Sequence, residues 1–168
     1  MTMRPENKRA RILIIDDEPA IRRTLSLLLS KSGYDVEEAE EVVQGTDILD
    51  REPPDLVITD LRIGSDSGLE LIRLIEQRYP DTESIVMTAY GSIESTVETM
   101  QAGAFDYITK PFSNNELLLR VGKALERRKL KQEILTLRQH VAMSYGFDNI
   151  VGISKPILQL KETAQRIA

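Results

Sequence analysis

Five short apolar runs, separated by segments of helical period, constrain the fold of this 168-residue chain more than any other feature. RILII (11–15), YDVEE (34–38), DLVIT (55–59), ESIVM (83–87) and DYIT (106–109) are each bounded by turn residues and read as strands. Between them Ile21, Leu25 and Leu28 recur at helical spacing, as do Ile72, Ile75 and Tyr79, and also Ile93, Val97, Met100 and Ala104. Strands that alternate with helices are joined by crossovers, and crossovers make neighbouring strands parallel. The pattern therefore predicts an α/β domain, a doubly wound five-stranded parallel sheet with helices on both faces. The first, third and fourth runs are apolar enough to be buried on both sides.

Composition removes several kinds of chemistry. The chain has no cysteine, which excludes disulfides, a thiol nucleophile and any Cys-ligated zinc or iron–sulfur site. It has one histidine, His140, so a multi-histidine metal site is excluded; His140 itself reads as a solvated helix residue. Ile12–Ile15 is an apolar run of four, and a membrane helix needs roughly 18. The basic start MTMRPENKRAR leads into no signal-peptide core, and the expected location is cytoplasmic, with no membrane partner. Charge is unevenly divided. Residues 12–113 hold 8 Lys and Arg against 21 Asp and Glu, whereas residues 114–145 hold 7 against 3. An acidic body repels nucleic acid and anionic membrane but suits a cation.

After Pro111 the periodicity changes. Ser113 reads as an N-cap with Glu116 as its capping-box partner, opening a helix that runs to about Ser144 and ends at Gly146. Leu117, Val121 and Ala124 form one apolar face, and Leu130, Ile134, Leu137 and Val141 form another at 4-3-4 spacing. The step between the two sets is not a heptad step, so one straight helix cannot point both at the same object. The first face is expected to cover the sheet. The second is expected to form a coiled coil with a second copy, the alternative being a helix folded back on its own domain. The run Arg127-Arg128-Lys129 reads as a solvated face beside that coiled coil.

In an open parallel sheet, ligands bind beyond the carboxyl ends of the strands. The first strand ends in Asp16-Asp17-Glu18, the third in Asp60, the fourth in Thr88-Ala89 and the fifth in Lys110-Pro111. Carboxylates gathered at one edge repel one another unless a cation lies among them. Without cysteine or a usable histidine the donors are hard oxygens, which points to Mg²⁺. A lysine and a threonine aimed at the same place suit the oxygens of a phosphoryl group. The reading is a carboxylate that accepts a phosphoryl group as an aspartyl phosphate.

The segments ILIIDDEPAIRRTL, DLVITDLR and IVMTAYGSIESTVETMQAGAFDYITKPF resemble the receiver domain of two-component response regulators, specifically that of NtrC-type σ54 activators. The resemblance covers about residues 11–130 and implies a flavodoxin-like sheet of order 2-1-3-4-5. It implies that Asp60 takes phosphate from a sensor histidine kinase. It implies further that Asp17, Asp60 and the backbone carbonyl of Arg62 ligate Mg²⁺, with Asp16 acting through water. Thr88, the Ala89 amide and Lys110 are then the phosphoryl contacts, Thr88 and Tyr107 the switch residues, and Lys110-Pro111 a cis peptide. One segment departs from the family's M-P-G-x-x-G: Ile63-Gly64-Ser65-Asp66-Ser67-Gly68. Without the proline and with two glycines, this loop is expected to be looser.

FDNIVGISKPILQLKETAQRIA resembles the entry to a σ54-type AAA+ ATPase, but no G-x-x-x-x-G-K-[ST] occurs. The expected organisation is a flexible N-terminus (1–10), a receiver (11–125), a coiled-coil linker (126–146) and the truncated start of an ATPase domain (147–168). σ54 RNA polymerase and DNA would then be reached only through domains missing here. The competing reading is a phosphatase of the haloacid dehalogenase type. That class places its nucleophile in D-x-D after the first strand, where this chain has adjacent aspartates. A third reading, a constitutive dimerisation module with a vestigial receiver, is opposed by the intact set Asp17, Asp60, Thr88 and Lys110.

Overall fold

β1 (Arg11–Ile15), β2 (Asp35–Ala39), β3 (Leu56–Asp60), β6 (Glu83–Thr88) and β7 (Asp106–Thr109) pair in parallel in the order β2-β1-β3-β6-β7. The computed structural model describes residues 9–89 and 93–144. A separate two-stranded hairpin, β4 (Arg62–Ile63) with β5 (Asp66–Ser67), interrupts the numbering. Counted along the main sheet alone, the order is the expected 2-1-3-4-5. The crossovers are α1 (Pro19–Lys31), α2 (Val42–Arg51), α3 (Gly68–Arg78) and α4 (Ile93–Gln101), and α5 (Asn114–Ser144) follows β7.

The strands divide their side chains by parity, as pleating requires. Ile12, Ile14, Leu56, Ile58, Ile85 and Met87 form one buried cluster with Leu25 and Leu29 of α1 and with Leu117, Val121 and Ala124 of α5. Leu13, Ile15, Val57 and Val86 form the other, with Leu49 of α2 and Leu71, Ile72 and Ile75 of α3. Each central strand is therefore apolar on both faces, and each face has its own helical cover. Pro19 at the first position of α1 sets the helical φ without sacrificing a needed N–H.

α4 departs from the periodicity. Val97 and Met100 are 46% and 45% exposed, whereas Thr99 is buried at 3%. Val97 and Met100 lie outward and Thr99 can go inward, because its hydroxyl donates to the Ser95 carbonyl at 2.7 Å, leaving little polarity to desolvate. Met100 is thus a surface residue and not part of the core.

The chain divides into two compact units, residues 1–129 and 130–168. At the start of α5, Ser113 Oγ accepts the Glu116 N–H at 3.1 Å. The Glu116 carboxylate bonds Arg120 at 3.0 Å, so only half of the capping box forms. Arg127 and Arg128, within the first unit, are not a free solvated face. Arg128 reaches Asp55 Oδ1 at 2.6 Å and donates through Nε to the Asp81 carbonyl at 2.6 Å, and the Arg127 guanidinium lies over the Phe105 ring. Asp55 also accepts the Arg11 N–H at 2.7 Å, so one carboxylate ties β1 to α5 at the amino end of the sheet. A half-screened charged hydrogen-bond pair of this kind is worth about 1–2 kcal/mol. Arg128→Ala should lower the urea midpoint by that equivalent with an unchanged m-value; an unmoved midpoint would show the contact to be incidental.

In the second unit the described residues are the C-terminal part of α5. Leu130, Ile134, Leu137 and Val141 are 52%, 50%, 62% and 55% exposed. The expected stop at Gly146, the ATPase-like segment 147–168 and most of the N-terminal segment 1–10 lie outside the described residues. Among the described residues, no helix is long and apolar enough to cross a membrane.

Candidate functional site

Strand register assembles the site. Ile15 pairs with Thr59, Asp60 with Met87, and Thr88 with Thr109, so the next residues, Asp16, Leu61, Ala89 and Lys110, leave the sheet at one edge. Asp16 is 1% exposed, and Thr88 is buried at 5%. Lys110 Nζ donates to Asp60 Oδ2 at 2.5 Å and to Asp16 Oδ2 at 3.2 Å. The peptide bond from Lys110 to Pro111 is cis. Backbone groups complete the two carboxylates: Asp16 Oδ1 accepts the Glu18 N–H at 2.8 Å, and Asp60 Oδ1 accepts the Arg62 N–H at 3.0 Å.

The ammonium between the two carboxylates has a pKa above its ordinary value. Partial burial pulls it down, but the hydrogen bond it donates to Asp60 and the charges of Asp16 and Asp60 outweigh that. With the folded pKa raised, the stability this arrangement contributes is intact at neutral pH and is lost only as pH rises through the raised value.

Asp17 stands apart. It is exposed, and its Oδ2 accepts the Gly64 N–H at 3.1 Å. Among the described residues no group of three or more acidic or histidine side chains is close enough to hold a metal by themselves. The expected three-carboxylate cluster is therefore a pair bridged by lysine, with the third carboxylate turned to a neighbouring loop. Lys110 supplies the positive charge that relieves the repulsion between Asp16 and Asp60. The donor chemistry nevertheless fits Mg²⁺, which takes one or two carboxylates and otherwise carbonyl oxygens and water. Arg62 is exposed two residues beyond Asp60, and Ala89 is exposed just after Thr88. Tyr107 is partly buried against the second core cluster.

The segment 62–67 is not loose. Arg62 pairs with Ser67 and Ile63 with Asp66, leaving Gly64-Ser65 as a two-residue turn with Gly64 at φ +57°. Ile63 is buried at 2% and pins the hairpin to the core. The Gly64 amide was missed by reasoning on side chains alone. A two-residue Gly-Ser turn between short flanks is a hairpin signal, and it could have been found.

Residues 12–122 match the family described as the response regulator receiver domain. Response regulator protein PilR of Pseudomonas aeruginosa is 37% identical over 161 residues, covering 95% of this chain and 34% of that protein. Regulatory protein AtoC of Escherichia coli is 33% identical over 158 residues, covering 94% of this chain and 34% of its own length. The chain thus spans about a third of these curated relatives. Among solved structures, NtrX from Brucella abortus in complex with ADP aligns with TM-score 0.74 and 31% identity, over 95% of this chain and 35% of that one. A CheY-like receiver domain protein from Methanospirillum hungatei aligns with TM-score 0.71 and 31% identity, over 74% of this chain and 99% of that one.

Proposed function

This chain belongs to the response regulator receiver domain family, and from that premise we propose a phosphorylation-controlled switch of the NtrC type in which Asp60 is the phosphoryl acceptor. The observation that carries the reading is the convergence of Asp16 and Asp60 on Lys110 where β1, β3 and β7 end. The donor is a phosphohistidine of a sensor kinase. An Asp60 oxygen attacks phosphorus, the P–N bond breaks, and the imidazole leaves with the bonding pair. Lys110 then releases Asp60 to contact a phosphoryl oxygen, while the Thr88 hydroxyl and the Ala89 amide take others. When bound, Mg²⁺ would neutralise developing charge on the phosphoryl oxygens. Asp17, Asp60 and the Arg62 carbonyl would hold it directly, and Asp16 would act through water. Beside Lys110, a groove of about 350 Å³ lined by Ile21, Leu25, Pro111 and Phe112 offers a place for the kinase's histidine-bearing element.

Thr88 drawn toward the phosphoryl group frees space for Tyr107, and the face of α4, β7 and α5 repacks. The output is a homodimer through the linker, residues 126–146, with residues 147–168 entering the ATPase domain of a cytoplasmic σ54-dependent activator. Contact with σ54 RNA polymerase and DNA would belong to the remainder of such a protein. The phosphatase alternative is disfavoured because the lysine-bridged acceptor is the last residue of β3, and Asp16 and Asp17 are adjacent.

Acetyl phosphate with Mg²⁺ should add one phosphoryl group, about 80 Da by intact mass. Chelation of divalent cations should abolish the adduct; an equal adduct under chelation would refute the cation requirement.

A further inference from the structure

We propose that the β4–β5 hairpin is the positioning element for Asp17, its Gly64 amide holding the carboxylate ready for a divalent cation and so setting the site's cation affinity. This rests on the reading of Asp17 as a cation ligand and adds a residue to it. Asp17 is exposed, and the Gly64 N–H at 3.1 Å is its hydrogen-bond partner among the described residues. Without that amide the side chain would rotate freely in water, and a cation would have to immobilise it on binding. A carboxylate has about four acceptor positions, so one amide leaves the others for the metal.

The hairpin can act this way because both of its ends are tied to the acceptor loop. On one side Arg62 follows Asp60 and Leu61 directly. On the other the Gly68 N–H donates to the Leu61 carbonyl at 2.9 Å, and a Cβ at Gly68 would overlap the Asp60 carbonyl oxygen. With Ile63 buried beneath it, the turn has a fixed place relative to Asp60. Gly64 supplies conformation and not space: its φ is +57°, and a Cβ there would meet nothing within 4 Å. Asparagine tolerates that conformation, whereas a β-branched residue does not.

The test is Mg²⁺ titration calorimetry on the full chain, with circular dichroism confirming the fold. Gly64→Val should weaken Mg²⁺ binding about three- to tenfold, the cost of ordering one side chain. Gly64→Asn should stay within about twofold of wild type. In an Asp17→Asn background Gly64→Val should change nothing further, since the amide acts through that carboxylate. If Gly64→Val does not fold, Gly64→Ala carries the same comparison. Wild-type affinity in the folded Gly64 variant, or an equal loss in the Asp17→Asn background, overturns the inference while leaving the cation assignment standing. Unchanged affinity in Asp17→Asn alone overturns the assignment of Asp17, and the inference with it.

Discussion

Asp60→Asn should remain folded and take up no phosphoryl group from acetyl phosphate. An amide oxygen is a poor nucleophile, and removing a nucleophile costs at least about 10³-fold in rate. The fold survives because the asparagine carbonyl can still accept from Lys110, and Lys110 keeps Asp16, which is 1% exposed and is the costlier carboxylate to leave unpaired. The expected stability change is therefore small, within about 1–2 kcal/mol. Intact-mass spectrometry after equal incubation reads the outcome. An equal adduct on wild type and variant would remove Asp60 from its role, even though Asp16 and Asp17 offer carboxylates nearby.

Replacing Ile134 and Leu137 with aspartate should convert the proposed linker dimer into a monomer at micromolar concentration. In the described residues Leu130, Ile134, Leu137 and Val141 expose half or more of their surface. Burying four such side chains against a second copy yields roughly 1.5–3 kcal/mol each before the entropic cost of association. Two opposed aspartates per helix both remove that gain and add like-charge repulsion. Two heptads are short, and Val97 and Met100, exposed on α4, are available to add a receiver contribution. Light scattering measures the mass directly. A double variant that stays fully dimeric would show that the linker stripe is not the interface.

How much of this was legible beforehand depended on whether the signal was local. β1, β3 and β6 could be read because a strand buried on both faces needs an unbroken apolar run, as in ILII, LVI and IVM. The strand-end chemistry was legible for the same reason: parallel topology alone sends Asp16, Asp60, Thr88 and Lys110 to one edge. What could not be read was which groups pair once there. Sequence gathered Asp16, Asp17 and Asp60 around a cation, Asp17 and Asp60 directly and Asp16 through water, whereas Lys110 is long enough to bridge Asp16 and Asp60, and Asp17 turns to a backbone amide. The missing proline after Ile63 suggested looseness, but strand pairing and a buried Ile63 replaced the rigidity that proline would have given. The helical spacing of Val97 and Met100 marked a helix but not its inward face, because helical period reports amphipathicity and not which face is inward. Arg128 misled because a charge run says nothing about acceptors such as Asp55 and Asp81, 73 and 47 residues away in sequence.

Locating the transferred group is the most direct test of the central claim. Borohydride reduces an acyl phosphate on aspartate to homoserine, leaving the residue about 14 Da lighter after loss of phosphate. Trypsin releases Glu52–Arg62 as EPPDLVITDLR, which contains both Asp55 and Asp60. After acetyl phosphate, Mg²⁺ and borohydride, fragmentation of that peptide should place the loss on Asp60, and chelated controls should show none. Reduction found at Asp55, Asp16 or Asp17 with Asp60 unmodified would contradict the account.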